Sequence, residues 1–242
     1  MKVIKYWILL ILLLAPGCPK KYEYKRILPL HLKLTENTDE EALRKSGEYV
    51  ELFFDENDKP VKGYGYKNHK NRIYLNFDNR GRLASVIFEK SPEFDNTTIK
   101  YIYAGVQLEE IRSFFDGTLG CKQKFYYNSD NTILKIENIA NDLIDGEIVS
   151  TNRYFTEFEF HNDYILENHN DKFNTRRKTY FAKNENKVIY YDPIFATLYK
   201  PYQDRNMQVY RYEQFQGDKP IKVDEYDAFG NIKKEGNTAG NR

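Results

Sequence analysis

A hairpin turn that recurs along the chain constrains its fold more than any other feature. Its clearest form is Phe77-Asp78-Asn79-Arg80-Gly81-Arg82-Leu83, with apolar strand residues on both sides. Asp78 at the head of the turn can accept a hydrogen bond from the backbone two residues on, and Asn79 and Arg80 suit the centre of a type I turn. Gly81 then takes the positive φ that closes the loop as a bulge. The aromatic residue before the turn falls at Phe54, Phe77, Tyr103 and Tyr127, in steps of 23, 26 and 24 residues. Steps of that size mark one hairpin per repeat. The later steps, to Phe160, Phe181 and Phe215, are 33, 21 and 34 residues, and the long ones hold two insertions, 137–151 and 192–206.

Between the turns nearly every segment reads as strand. Tyr154, Thr156, Phe158 and Phe160 share one face of such a segment, and Arg153, Glu157 and Glu159 share the other with Phe155. This alternation predicts one buried and one solvated face. About fourteen strands at ~4.8 Å spacing would make a sheet about 65 Å wide, and open sheets beyond ~10 strands curl or split. The expected fold is therefore mainly all-β: antiparallel repeated hairpins forming one large curved sheet or open barrel, with a short N-terminal helix. That helix is signalled by Thr38 with Glu41 three residues on, a capping box, and by Gly47 at its end. Leu30, Leu32 and Leu34 alternate ahead of it as a candidate first strand at the sheet edge. A transmembrane barrel is disfavoured, because its strands need ~9–11 residues and an apolar outward band, whereas these read as six or seven with charged outward positions.

Phe77-Asp78-Asn79-Arg80-Gly81-Arg82-Leu83 and Tyr226-Asp227-Ala228-Phe229-Gly230-Asn231-Ile232 resemble the tyrosine-aspartate repeat of Rhs-type proteins: an aromatic, Asp, two free residues, Gly, a polar residue and an aliphatic one. Related short hairpin repeats occur in MORN-like proteins. Elsewhere in the chain Asn or Asp replaces the Gly, or the loop changes length. In the Rhs family long arrays spiral into shells around toxins. The seven or so hairpins here are too few for a shell, so the resemblance implies hairpin architecture and brings no catalytic residues.

The N-terminus predicts location. Lys2 and Lys5 form a basic region, Trp7 to Ala15 an apolar run, and Ala15-Pro16-Gly17-Cys18 puts a cysteine after small residues. The run is too short for the ~20 residues of a spanning helix, and the pattern is that of a signal peptide. Leu14-Ala15-Pro16-Gly17-Cys18 resembles a bacterial lipobox of the permissive, spirochaete-like kind, with Ala15 where leucine is usual. The resemblance implies that Cys18 is acylated and begins the mature protein. The organisation expected is a signal peptide over 1–17, a lipidated tether and edge strand over 18–37, and a hairpin-repeat domain over 38–242.

Removal of residues 1–17 takes away Lys2 and Lys5 and no acid, so the formal charge falls from +1 to −1. A near-neutral domain lacks the clustered basic surface of a nucleic-acid binder. With Cys18 acylated, Cys121 remains without a cysteine partner and reads as a small packed residue. Serine-hydrolase, zinc-protease, phosphate-loop and Cys-x-x-Cys motifs are missing. His161-Asn162-Asp163 and His169-Asn170-Asp171 are metal candidates by composition. They are equally good turn sequences, about one strand apart and without a third ligand, so neither a metal nor a cofactor is expected. The aromatic insertion around Tyr191, Phe195, Tyr199 and Tyr202 is the candidate ligand-binding element, since long loops on rigid sheets commonly carry binding residues; the alternative is a cover for an open end of the sheet. The leading expectation is a lipid-anchored, non-catalytic binding or scaffold module of a bacterial envelope, at the outer membrane, with a protein or glycan ligand. The alternatives are an enzyme or accessory acting on envelope polymers, with Glu157 and Glu159 on a concave face, and an assembly factor that receives a partner strand at its sheet edge.

Overall fold

The computed structural model describes residues 23–29, 32–35, 38–90, 96–170, 174–228 and 232–237. Cys18 and the signal segment lie outside the described residues, as do Leu30, Asp171 and the 229–231 part of the last turn. The first half comprises β1 (Tyr24–Leu28), β2 (Lys33–Thr35), α1 (Glu40–Ser46), β3 (Tyr49–Phe54), β4 (Pro60–Lys67), β5 (Lys70–Phe77), β6 (Leu83–Phe88), β7 (Thr97–Ala104) and β8 (Gln107–Phe115). Next come β9 (Thr118–Tyr127), β10 (Ile133–Ile144), β11 (Glu147–Phe160), β12 (Tyr164–His169) and β13 (Thr175–Lys183). The chain ends with β14 (Val188–Tyr190), α2 (Pro193–Leu198), α3 (Lys200–Gln203), β15 (Met207–Gln216), β16 (Lys219–Tyr226) and β17 (Ile232–Asn237).

Fifteen strands form one antiparallel sheet in which β1 pairs with β3 and every later member pairs with the next along the chain, through to β17. Strand order never returns on itself, so the sheet is open. The expected edge strand is displaced: Tyr24–Leu28 takes the edge, while Lys33–Thr35 leaves the main sheet and pairs with Val188–Tyr190. The helix cap also moves by one residue. Asp39, not Thr38, accepts the hydrogen bond from Ala42 N–H at 2.9 Å, and Gly47 ends α1 with φ +75°.

The repeated turn has one geometry in three copies. Asp78 N–H donates to Arg82 O at 2.9 Å, and Asp78 Oδ1 accepts from Arg80 and Arg82 N–H at 2.8 and 2.9 Å. Asp55 does the same with Asn57 and Lys59, and Asn128 with Thr132. The left-handed residue is Gly81 (φ +76°) in one copy, Asp58 (φ +58°) and Asn131 (φ +66°) in the others. Asp and Asn are the non-glycine residues that tolerate this conformation best. The aromatic before each of these turns, Phe54, Phe77 or Tyr127, sits at a β-bulge, and the register also shifts at Tyr103, ahead of the turn at Gly105. Tyr103 and Tyr127 extend their hydroxyls back to Leu83 O and Leu108 O, at 2.9 and 2.7 Å. Each ties a hairpin to the one before it.

Core residues lie on one face of the sheet in two clusters. Leu28, Val50, Leu52, Phe54, Leu75 and Leu83 belong to the first; Phe125, Ile133, Ile136, Phe158, Ile165 and Phe181 belong to the second. Gly65 is required under the first, because a Cβ there would stand 2.7 Å from Ile73 Cβ. The insertion between β13 and β15 crosses this face. Tyr191 meets the ring of Phe54 at 5.9 Å, and eight residues later Tyr199 meets Phe181 at 5.2 Å. On a flat sheet β3 and β13 would be about 48 Å apart at ~4.8 Å per strand, while eight mainly helical residues advance about 12 Å. The sheet is therefore strongly curled, with β14, α2 and α3 on its concave side.

The other expected insertion, 137–151, is no separate element. β10 and β11 run on past their last pairing with β9, at Ala140 and Cys121, and turn at Asp145-Gly146. Ile144 at that tip is 62% exposed.

Candidate functional site

Asp192-Pro193 starts the helix that forms one wall of the site. Asp192 Oδ1 accepts from Ile194 and Phe195 N–H at 2.9 and 3.3 Å, and Pro193 supplies a first-turn residue that needs no N–H partner. Burial pushes the Asp192 carboxyl above its usual range, although those two backbone bonds oppose the shift. The helix directs Ile194, Phe195, Leu198 and Tyr199 at the sheet, leaving between them a groove of about 1060 Å³.

The opposite wall is the concave face of β9 to β16, where Ile136 and Phe158 give way to polar side chains. Strand register sets its side chains in rows: Phe158 pairs with Glu167, Glu167 with Arg177, Arg177 with Gln214, and Gln214 with Lys222. One row further along, Ile165 is followed by Thr179, Tyr212 and Asp224. On the other side a chain of hydrogen bonds runs from Gln123 to Asn138 (2.9 Å), to Thr156 (3.3 Å) and to His169 Nδ1 (3.0 Å).

Charges in the groove are matched at close range. Glu167 Oε2 lies 3.5 Å from His169 Nε2 and 3.9 Å from Arg177, and Asp224 Oδ2 lies 2.9 Å from Lys222 Nζ. Yet His169 Nε2, Arg177 Nε and Asp224 Oδ1 are buried atoms without a hydrogen bond. Asp224 as a whole is only 3% exposed. These atoms are sealed behind the wall, while the side chains that carry them line the groove.

No protein-family model matches the chain, and no curated protein matches its sequence. The site therefore has to be read from its own chemistry.

Of the residues singled out from the sequence, Phe195 and Tyr199 line the groove. Phe195 is partly exposed, and burial drives the Tyr199 hydroxyl well above its ordinary pKa. Tyr202 and Tyr191 hold the insertion down. Tyr202 is fully buried, stacks on Phe181 at 3.8 Å and donates to His161 O and Tyr164 O at 2.8 and 2.6 Å; burial pushes its pKa to about 12. Tyr191 packs on Phe54, and its N–H donates to Leu32 O at 2.9 Å. The two histidines occupy opposite ends of β12, with His169 in the groove and His161 stacked on Tyr164 at 4.1 Å outside it. Among the described residues no group of three or more His, Cys, Asp or Glu could hold a metal. Glu157 and Glu159 alternate with Thr156 and Phe158 and are exposed on the opposite face. Burial raises the thiol pKa of Cys121, which disfavours the thiolate. No helix among the described residues is long and apolar enough to cross a membrane.

Glu167, Arg177, Gln214, Lys222 and Asp224 were not distinguishable as site residues by motif. A signal exists nonetheless: Lys222-Val223-Asp224-Glu225-Tyr226 places charge on both faces of a strand in the interior of a repeat sheet, which a purely structural strand has no reason to do.

Proposed function

We propose that the protein is a non-catalytic binding module, held at a bacterial envelope membrane by acylation of Cys18, that takes its ligand in the groove between α2 and the concave sheet. The observation that carries the binding reading is the groove itself, about 1060 Å³, with Ile194 and Phe195 on one wall and Glu167, Arg177, Gln214 and Lys222 on the other. Such an arrangement, an apolar surface with a few convergent polar groups, is the usual composition of a ligand site. The anchoring reading is supported by the lipobox-like Leu14-Ala15-Pro16-Gly17-Cys18, from which six residues lead to Tyr24, where β1 begins. Six residues span at most about 20 Å, which holds the sheet edge close to the membrane. The outer membrane is the expected location, on its periplasmic face or the cell surface.

Two experiments test the two halves of this reading. Cys18→Ser should abolish incorporation of labelled palmitate and release the protein from the membrane fraction; persistent labelling refutes the anchor. For the groove, the detergent-solubilised full chain is heated with fractionated envelope polymers. A fraction should raise the melting temperature of the wild type but not of Gln214→Trp, whose indole fills the groove. If no fraction shifts the wild type, or one shifts both proteins equally, the groove is not the binding site.

A further inference from the structure

With the groove read as a binding site, a reading on which all that follows rests, the open question is what chemistry fits it. The sheet wall carries ions of both signs but does not present them equally. The Glu167 and Asp224 side chains are 14% and 4% exposed, whereas those of their partners Arg177 and Lys222 are 39% and 33% exposed. A molecule entering the groove therefore meets the cations first, with the carboxylates behind them.

Of the lysine and arginine side chains that line the groove, two are already committed. Lys222 Nζ lies 2.9 Å from Asp224 Oδ2 and 3.6 Å from Glu235 Oε1, and Arg153 Nε lies 3.3 Å from Glu137 Oε1. Arg177 is different. Its ion pair, from Nη1 to Glu167 Oε2 at 3.9 Å, is too long for a hydrogen bond, and Glu167 is shared with His169 at 3.5 Å. Among the described residues the guanidinium makes no hydrogen bond. Its Nε is sealed, but its two Nη groups, which carry the rest of its donors, are open to the groove.

Gln214 stands directly opposite Arg177 on the neighbouring strand. Its Oε1 accepts from the Tyr212 hydroxyl at 3.4 Å, while its amide nitrogen is unbonded among the described residues and is not sealed. Directly opposed residues hold their Cβ atoms about 5 Å apart, so the guanidinium and the amide reach a single group between them. All of these nitrogens can only donate, so that group is an acceptor. Beside a guanidinium an anionic acceptor is favoured: charge-assisted hydrogen bonds are about twice as strong as neutral ones, and the planar fork matches two oxygens of a carboxylate or phosphate. Strand order β12, β13, β15 puts Glu167 on one side of Arg177 and Gln214 on the other. The incoming anion and Glu167 thus take opposite edges of the guanidinium.

The rest of the groove bears on the body of the ligand. Phe195, 39% exposed, offers a flat apolar surface on the facing wall, and Gln123, Asn152 and Thr156 give the floor amide and hydroxyl groups. An acyl chain lying there would bury polar groups without compensation. A sugar ring can lay its C–H face on Phe195 and turn its hydroxyls to the floor. We propose that the groove binds an acidic saccharide, with its carboxylate or phosphate held between the Arg177 Nη atoms and the Gln214 amide nitrogen and a ring face on Phe195.

The test uses the full chain in detergent micelles on a microarray of oligosaccharides matched in length and linkage. Each is present in uncharged, carboxylated and phosphorylated forms, which separates the two sources of the oxyanion, and acidic peptides are probed in parallel. Arg177→Gln removes the charge, and Gln214→Glu puts a carboxylate into the cradle at nearly constant shape. Lys178→Gln makes the same change of charge on the opposite face of β13, where Lys178 lies over Tyr164. Each variant is first checked for wild-type thermal unfolding. The expected result is retention of acidic saccharides above their uncharged counterparts, weakened about tenfold or more by Arg177→Gln and by Gln214→Glu, on the scale of one lost charge-assisted hydrogen bond, and unchanged by Lys178→Gln. Retention of no acidic saccharide, equal weakening by Lys178→Gln, or retention of acidic peptides alone overturns the inference. Equal retention of charged and uncharged forms overturns it too, yet if Gln214→Trp abolishes that retention the groove still stands as a binding site.

Discussion

The concave face under β3 to β6 and the concave face under β12 to β16 are both antiparallel and both carry an apolar core, but the second adds a polar stretch that the first lacks. In the first, inward positions are Leu52, Phe54, Ile73, Leu75, Leu83 and Val86, all buried and in mutual contact. In the second, the corresponding row carries Glu167, Arg177, Gln214 and Lys222, with Asp224 beside it. Turn chemistry and backbone pairing fix the scaffold in both, so the inward side chains are free to serve either stability or recognition. The insertion respects the division: Tyr191 seals the dry half against Phe54, and α2 spans the wet half and leaves space beneath it.

Truncation where the insertion is pinned to the second half should have the largest effect. Tyr202→Ala removes a fully buried ring stacked on Phe181 and should cost about 3–5 kcal/mol in urea unfolding, as large aromatic truncations do. Tyr202→Phe, which leaves the His161 and Tyr164 carbonyls without that donor, should cost about 1–3 kcal/mol. If both leave stability unchanged, the insertion is not fastened as described.

A matched pair then contrasts the two regions directly. Leu75→Ala in the dry half should cost about 2–5 kcal/mol. Gln214→Ala in the wet half, a half-buried side chain whose Oε1 accepts one long hydrogen bond of 3.4 Å from Tyr212, should alter stability by no more than about 1 kcal/mol. Equal costs would erase the distinction. Smaller again is the turn: Gly81→Val forces a β-branched residue to φ +76° with its Cβ 3.1 Å from Lys59 Cβ, for a loss of about 1–2 kcal/mol. An unchanged melting temperature would contradict the turn geometry.

The smallest effect is a slope with pH. Burial alone would raise the Asp78 carboxyl, but bonds from Arg82 and from Arg80 N–H to its charged form outweigh that and lower it below its ordinary 3.8. The unfolded chain therefore holds this proton more tightly than the folded one. Its contribution is complete above that ordinary value and disappears as pH falls through the lowered one. Asp78→Asn should flatten this part of the acid limb when melting temperature is followed from neutral pH to strongly acid conditions.

How much of this could be read without coordinates divides along range of interaction. The hairpins, the aromatic before the turn and the short helix were legible because Asp78, Gly81 and Gly47 act on backbone within five residues of themselves. Even the departures from glycine at Asp58 and Asn131 follow from local conformational preference. The inward face of the later strands was not legible, because Arg177 and Asp224 acquire meaning only when register aligns β13, β15 and β16. Nor was the pairing of β2 with β14, which no local pattern specifies, or the continuation of β10 and β11 beyond their neighbours. Phe195 and Tyr199 stood out by composition, and so did Tyr202, which turned out to be a fastening rather than a lining residue.

The two-stranded pairing of β2 with β14 has a kinetic consequence. Every contact of the main sheet joins strands that follow one another, so it can grow hairpin by hairpin with little chain to close at each step. Thr35 and Val188, by contrast, are 153 residues apart (188 − 35). Bringing such distant points together from a coil costs on the order of 4 kcal/mol in closure entropy, unless the intervening sheet has already curled and placed them side by side. The small sheet is thus a latch that closes last and opens first to any loss of curvature. Hydrogen exchange of its amides would report, from three residue pairs, the integrity of the eleven strands, β3 to β13, that lie between its halves.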